Sequence, residues 1–170
     1  MQVLHIDSSI LGDASASRIL SAAIVDELRR ENPSTTVVHR DLSVEAIPHL
    51  DGAIAAGFRA TGADDFDDAT SAEHARSEAL VNELLASDVI VVGAPMYNFS
   101  VPSQLKAWID RVAQAGRTFK YTENGPVGLA GGKKVIVAST RGGMYSAGPA
   151  AAMDFQEAYL KTVFGFFGIT

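Results

Sequence analysis

The stretch Val89-Ile90-Val91-Val92-Gly93, followed by Ala94-Pro95-Met96-Tyr97-Asn98-Phe99, decides how this chain folds. Four consecutive β-branched residues leave a strand no polar side. Ser87 to Gly93 therefore reads as a strand buried on both faces, the pattern of a parallel sheet covered by helices. Ser100-Val101-Pro102 then leads into a helical pattern. Leu105, Trp108, Ile109 and Val112 mark its buried side, and Pro102 suits the first turn. A strand, a loop of polar donors and ring-sized side chains, and a helix thus follow one another. In an open parallel sheet such loops lie at the carboxyl ends of the strands, where ligands bind.

Upstream, Gln2 to Ile6 reads as a short buried strand and Asp7 to Asp13 as a turn. From Ser15 a helix is expected, with Ile19, Leu20, Ala23, Ile24 and Leu28 at helical spacing, ending at Asn32-Pro33-Ser34. Thr35 to Arg40 is a second, more polar strand, as an edge strand would be. A long irregular connection follows, punctuated by Pro48, Gly52, Gly57 and Gly62. Asp51 to Ala60 is a candidate extra helix, Asp64 to Asp68 an acidic patch, and Ala69 to Leu85 a helix.

Downstream, Gly116 to Gly132 has little periodicity and reads as a loop. Val135 to Ala138 is a fourth strand, followed by Thr140-Arg141-Gly142-Gly143. From Ala150 a helix is expected, with Phe155, Tyr159, Val163 and Phe167 at suitable spacing. Alternating strands and helices predict an α/β, doubly wound parallel sheet in one domain, residues 1–170. Phe167-Gly168-Ile169-Thr170 reads as the approach to another strand. A fifth strand and last helix are therefore expected to be missing from this chain.

Bulk properties narrow the function classes. A net charge of −6 supplies no basic stripe, which argues against a nucleic-acid partner. With no cysteine, disulfides, thiolate nucleophiles and thiolate metal sites are excluded. No apolar run reaches the roughly 18 residues of a membrane span, and no secretory signal pattern is present. The expectation is a soluble, cytoplasmic protein without membrane partners. No metal-ligand spacing is visible: His5 lies in a strand, and His39, His49 and His74 read as peripheral.

Three loops carry chemistry. Ser8, Ser9, Ser15 and Ser17 surround a strand-to-helix turn, where hydroxyls, free backbone N–H groups and the helix dipole make an anion site. A serine there is equally a good N-cap, and both readings stand. Neither a Gly-x-Gly-x-x-Gly fingerprint nor a P-loop is present. In the loop after the third strand, the Asn98 amide can donate and accept, which matches the alternating edge of a flavin pyrimidine ring. Met96, Tyr97 and Phe99 flank it. Gly142 and Gly143 let backbone approach a flat ligand closely, with N–H groups available to an anionic ring edge. In the flavodoxin-like strand order 2-1-3-4-5 these loops converge at the switch point between strands one and three, where FMN binds.

Asp-Ser-Ser-Ile-Leu (7–11), Ser-Ala-Ser (15–17), Ala-Pro-Met-Tyr-Asn-Phe (94–99), Thr-Phe-Lys-Tyr-Thr-Glu-Asn-Gly-Pro (118–126) and Thr-Arg-Gly-Gly (140–143) together resemble the FMN-dependent NADH-azoreductase family. Its members are also described as NADH:quinone oxidoreductases. The resemblance implies FMN phosphate contacts from Ser9, Ser15, Ala16 and Ser17. It places Met96, Tyr97, Asn98 and Phe99 at the isoalloxazine and ribityl chain, and Thr140, Arg141, Gly142 and Gly143 at the other ring edge. Phe99, Phe119, Tyr121 and Tyr145 are candidates to wall the substrate slot. Family members are homodimers and continue past the position of Thr170. Thr140 stands where serine is common, and Met144-Tyr145-Ser146 departs from the usual polar stretch.

The implied activity is ping-pong reduction of quinones or aromatic azo compounds. NADH, with NADPH the alternative donor, passes hydride to flavin N5, and no side chain is required as acid or base. The competing readings are a flavodoxin-type single-electron carrier and a non-enzymatic module binding FMN or another phosphate ligand.

Overall fold

A computed structural model describes residues 1–58 and 66–169. Among them are six strands: β1 (Gln2–Asp7), β2 (Thr36–Asp41), β3 (Val89–Pro95), β4 (Phe119–Thr122), β5 (Gly125–Gly128) and β6 (Lys134–Thr140). Five helices accompany them: α1 (Ala16–Glu31), α2 (Gly52–Ala56), α3 (Asp68–Ala86), α4 (Ser103–Val112) and α5 (Gln156–Phe166). The main sheet has the order β2-β1-β3-β6 and is parallel throughout. β3 lies inside it and is buried at every position, as its continuous apolar run requires. The more polar β2 is an edge, as expected.

Alternation along the strands sorts the core into two faces. Leu4, Ile6, Ile90, Val92 and Ala94 point toward α3, α4 and α5, where they meet Leu80, Val81, Leu84, Leu105, Trp108, Val112, Leu160 and Phe164. Val3, Val89 and Val91 point the other way, onto Val25 of α1. The buried stripe of α1 differs from the expected one. Ser17, Ser21 and Val25 are buried, whereas Ile19 and Leu20 are 61% and 47% exposed. The cause lies opposite: near its carboxyl end β1 turns His5 and Asp7 to α1, and a carboxylate needs hydroxyl partners there, which Ser21 provides.

Two other expectations change. Residues 116–132 are not a plain loop, because β4 and β5 pair there as an antiparallel hairpin, closed by Thr122 Oγ1 donating to the Gly125 carbonyl at 2.7 Å. Strands of four residues are too short to display a period. The helix expected from Ala150 begins at Gln156, and Phe155 is exposed instead of packed. Just ahead of that start, the Asp154 carboxylate accepts from Gln156 N at 3.0 Å. Phe167 to Ile169 close α5. Gly168 takes φ +85°, its N–H reaches Gly165 O and that of Ile169 reaches Phe164 O, which is a Schellman stop.

The short helix expected over Asp51 to Ala60 is present as Gly52–Ala56, capped by Asp51; Ala60 lies outside the described residues. Asp64 and Asp65 of the acidic patch do so too, while Asp67 is the N-cap of α3. Among the described residues no helix is long and apolar enough to cross a membrane.

Candidate functional site

The loops after β1, β3 and β6 all leave the carboxyl edge of the sheet, and hydrogen bonds join them. Ser8 Oγ donates to Gly93 O at 2.7 Å, which pins the first loop to β3. The Tyr97 hydroxyl lies 3.2 Å from Ser9 Oγ and accepts from Ile10 N at 3.2 Å. Met96 N donates to Thr140 O, joining the loops after β3 and β6, and Phe155 N donates to Phe99 O. Gln156, buried at the start of α5, donates to Ala94 O at 2.9 Å. Sequence reasoning did not single out Gln156, and no spacing marks it.

The first loop ends in a helix N-terminus lined with buried hydroxyls. Ser9, Ser15 and Ser17 are nearly inaccessible, and Ser15 Oγ lies 3.0 Å from Ser17 Oγ. Ser15 is also the N-cap, accepting from Arg18 N. Both readings of these serines therefore hold together: one hydroxyl caps, while the first-turn amides of Ala16 and Ser17 are left as donors. Buried hydroxyls beside free amides at the positive end of a dipole fit a phosphate monoester.

The second loop is tightly turned. Tyr97 and Ser100 exchange backbone hydrogen bonds, so Asn98 and Phe99 lie in the left-handed region, at φ 48° and 72°. Asn tolerates that conformation, but for a bulky Phe it costs about 1–3 kcal/mol. The turn leaves Asn98 and Phe99 exposed, ready to border a flat ligand. Tyr145 of the third loop meets Phe99 edge-on, with ring centroids 6.4 Å apart. A cavity of about 470 Å³ opens beside Ile10, Tyr97, Asn98 and Ser100. A larger one, about 620 Å³, lies between β6 and α5, lined by Val135, Val137, Leu160 and Phe164. Only the first adjoins the loops that carry donors.

Two groups of expected residues are placed differently. The Arg141 guanidinium does not face the loops: it pairs with Asp154 at 2.6 Å and Glu157 at 2.6 Å, so only its backbone is available to a ring edge. Burial opposes ionisation of Asp154, but hydrogen bonds from Arg141 and from backbone amides hold its carboxyl below the ordinary value. Glu157 is held low by Arg141 and Ser139. Phe119 and Tyr121 are not brought to the loops of this chain. Phe119 is buried against Phe166 at the far end of α5, and Tyr121 stands exposed on the hairpin. From Gln156 to Phe166 is about 15 Å of helix at 1.5 Å per residue.

The histidines are less peripheral than their spacing implied. In-register pairing of β1 and β2 sets His5 beside His39, with rings 4.6 Å apart, and both reach Asp7. Burial raises the Asp7 pKa, but hydrogen bonds from His5, Ser21 and His39 outweigh it, so the carboxyl stays below its ordinary value.

Comparison with known proteins agrees with this architecture. Over its whole length the chain is 91% identical to the FMN-dependent NADH:quinone oxidoreductase of Ralstonia nicotianae (strain ATCC BAA-1114 / GMI1000), covering 82% of that protein. It is 62% identical to FMN-dependent NADH:quinone oxidoreductase 2 of Xanthomonas axonopodis pv. citri (strain 306), over 99% of this chain and 78% of the relative. The crystal structure of azoreductase AzrA superposes with TM-score 0.91 at 33% identity, covering all of this chain and 83% of that one. An FMN-dependent NADH-azoreductase from Bacillus anthracis str. Ames Ancestor, in complex with FMN, superposes with TM-score 0.87 at 26% identity over 99% of this chain and 82% of that one. A family model with the flavodoxin-like fold, Flavodoxin_2, matches residues 1–170, and the chain belongs to that family.

Proposed function

We propose that this chain is an FMN-dependent NADH:quinone oxidoreductase that also reduces aromatic azo compounds, and that residues 1–170 act as one FMN-binding domain. The observation that carries the reading is the meeting of three loops at the carboxyl edge of β1, β3 and β6, one of them ending in buried hydroxyls at a helix N-terminus. Ser9, Ser15, Ala16 and Ser17 hold the FMN phosphate. Met96, Tyr97, Asn98 and Phe99 border the ring and ribityl chain. Thr140, Gly142, Gly143 and the backbone of Arg141 supply the other edge. When bound, FMN supplies the redox chemistry, taking two electrons from NADH and giving them to the acceptor.

The chain's part is to orient and exclude. The Ser15–Ser17 pair fixes the anion, and Tyr97 ties the first loop to the second through Ser9 and Ile10. Tyr145 and Phe99 form an aromatic wall over the mouth. Ile10, Leu11, Met144 and Phe155 are each at least 60% exposed around that mouth, and Ile19 and Leu20 extend the apolar rim along α1. An uncovered rim of this extent supports a homodimer, for which light scattering behind size-exclusion chromatography is the check. We assign the protein to the cytoplasm.

The test is an FMN titration of the apoprotein followed by anaerobic NADH. Bleaching of the flavin absorbance in one two-electron step is expected. Flavin that binds but does not bleach would turn the reading toward a single-electron carrier. Asn98→Ala is expected to weaken FMN binding more than it weakens NADH binding to the FMN-loaded protein. Unchanged FMN affinity would remove the second loop from the site.

A further inference from the structure

We propose that His5, Asp7 and His39 form a site for a divalent transition metal ion of the zinc class, held between β1 and β2 on the α1 face of the sheet. The two imidazoles come from paired positions on neighbouring strands and stack at 29°. Their Nε2 atoms converge on one oxygen, Asp7 Oδ2, at 3.4 Å from His5 and 2.9 Å from His39. The three donor atoms lie within 4.8 Å of one another. Zinc–nitrogen and zinc–oxygen bonds of about 2.0–2.2 Å in a tetrahedron put adjacent donors about 3.3–3.6 Å apart. The donors need only shifts of a fraction of an ångström to about 1 Å to reach that spacing.

The surroundings suit an ion. Ser21 Oγ donates to Asp7 Oδ1 at 2.7 Å, turning the other carboxylate oxygen toward the imidazoles, as an outer hydrogen bond does for a metal-binding carboxylate. Arg18 is the nearest cation, with Nη1 3.7 Å from Asp7 Oδ2, but its closer partner is Asp41 at 2.7 Å. Two carboxylates against one guanidinium leave the shell net negative. Ser21 Oγ also contacts His5 Nε2 at 3.0 Å, and that contact gives way when the ring turns its lone pair to the ion. His39 is exposed on the edge strand, so the fourth position opens to water and the ion can enter from solvent. Two imidazoles with one carboxylate favour zinc, nickel or copper over magnesium or calcium, which demand more oxygen ligands. Three protein ligands and an open position describe an exchangeable site and not a closed structural one.

The tag-free, metal-stripped full chain is titrated with Zn2+ by calorimetry and with Co2+ by visible absorption. One equivalent is expected to bind, with the intense ligand-field bands of four-coordinate cobalt. His39→Gln keeps the exposed edge intact and is expected to weaken Zn2+ binding at least about tenfold, as loss of one ligand should. His49→Gln, on an exposed loop, is expected to change nothing. Absence of saturable binding would overturn the proposal. So would one-equivalent binding that His39→Gln leaves unaltered, or that His49→Gln abolishes.

Discussion

The two faces of the sheet are built from the same strands and held by different forces. On the face toward α3, α4 and α5, Leu4, Ile6, Ile90 and Val92 join an apolar cluster with Leu80, Leu84, Leu105 and Trp108, and stability there is chiefly buried area. On the α1 face, alternate residues of the same strands include His5 and Asp7, met by Ser21 and, from the edge strand, by His39. That face has its apolar cluster toward its amino end, at Val3, Val89 and Val91. The difference assigns the work: one face supplies most of the apolar burial, while the other carries the polar frame under the Ser15–Ser17 turn proposed for the FMN phosphate. Substitutions on the first should lower the melting temperature without touching FMN affinity, and substitutions on the second should move both.

The largest effect is expected at Ile90, fully buried in the middle of β3 on the apolar face. Ile90→Ala removes a methylene and two methyl groups from a fully buried site, a loss of about 2–5 kcal/mol in chemical denaturation. FMN affinity, measured where the variant is still folded, should stay within twofold. A larger change would mean that the two faces are not independent.

Three positions further along the same strand the expectation reverses. Gly93 faces α1, and a Cβ placed there would lie 2.6 Å from Asp7 Oδ1, 3.1 Å from Ser21 Oγ and 3.3 Å from Ser17 O. Glycine is needed because the hydroxyl–carboxylate frame approaches the strand backbone closely. Gly93→Ala should cost about 1–3 kcal/mol through overpacking, less than Ile90→Ala, yet weaken FMN binding at least tenfold by displacing Ser17. Equal FMN affinity in the two variants would erase the distinction between the faces.

The same contrast explains what could be read from the chain beforehand. The β3 run, its neighbours and the three candidate-site loops were legible because a continuous apolar strand and a glycine or serine turn are local patterns. The β2-β1-β3-β6 order is one of the few topologies that right-handed crossovers leave, and the sequence was consistent with it without fixing it. The polar stripe of α1 was not legible: Ile19 and Leu20 look like core by period, and only the carboxylate opposite makes Ser21 the buried choice. The His5–His39 pair depends on strand register, which no spacing within one segment reveals. Phe119 and Tyr121 were candidates for the substrate slot from a motif that carries the resemblance, yet the hairpin carries them to the far end of α5. Gly168 was a readable signal of another kind, since a glycine just past an apolar helix marks its stop.

The third loop is held by neither burial nor a hydroxyl frame but by charge, and its response should be the smallest and the most dependent on pH. Arg141 joins Asp154 and Glu157 across the segment that carries Gly142, Gly143 and Tyr145. Both carboxyls are held below their ordinary values of 3.8 and 4.5. A carboxyl depressed in the folded state contributes stability that is complete above its unfolded value and disappears as pH falls through the folded one. The clamp should therefore be intact at neutral pH and weaken progressively once the pH drops below about 4.5. Arg141→Gln removes the shared partner and returns both acids toward their ordinary range. Its melting temperature should differ from wild type by only a degree or two at pH 7, because Glu157 is half exposed and solvent screens the pair. Its acid limb should be shallower than that of the wild type, so the two curves converge as the pH falls. Parallel curves across that range would mean that Arg141 holds the loop by packing along its stem, and the third loop would then belong with the apolar face.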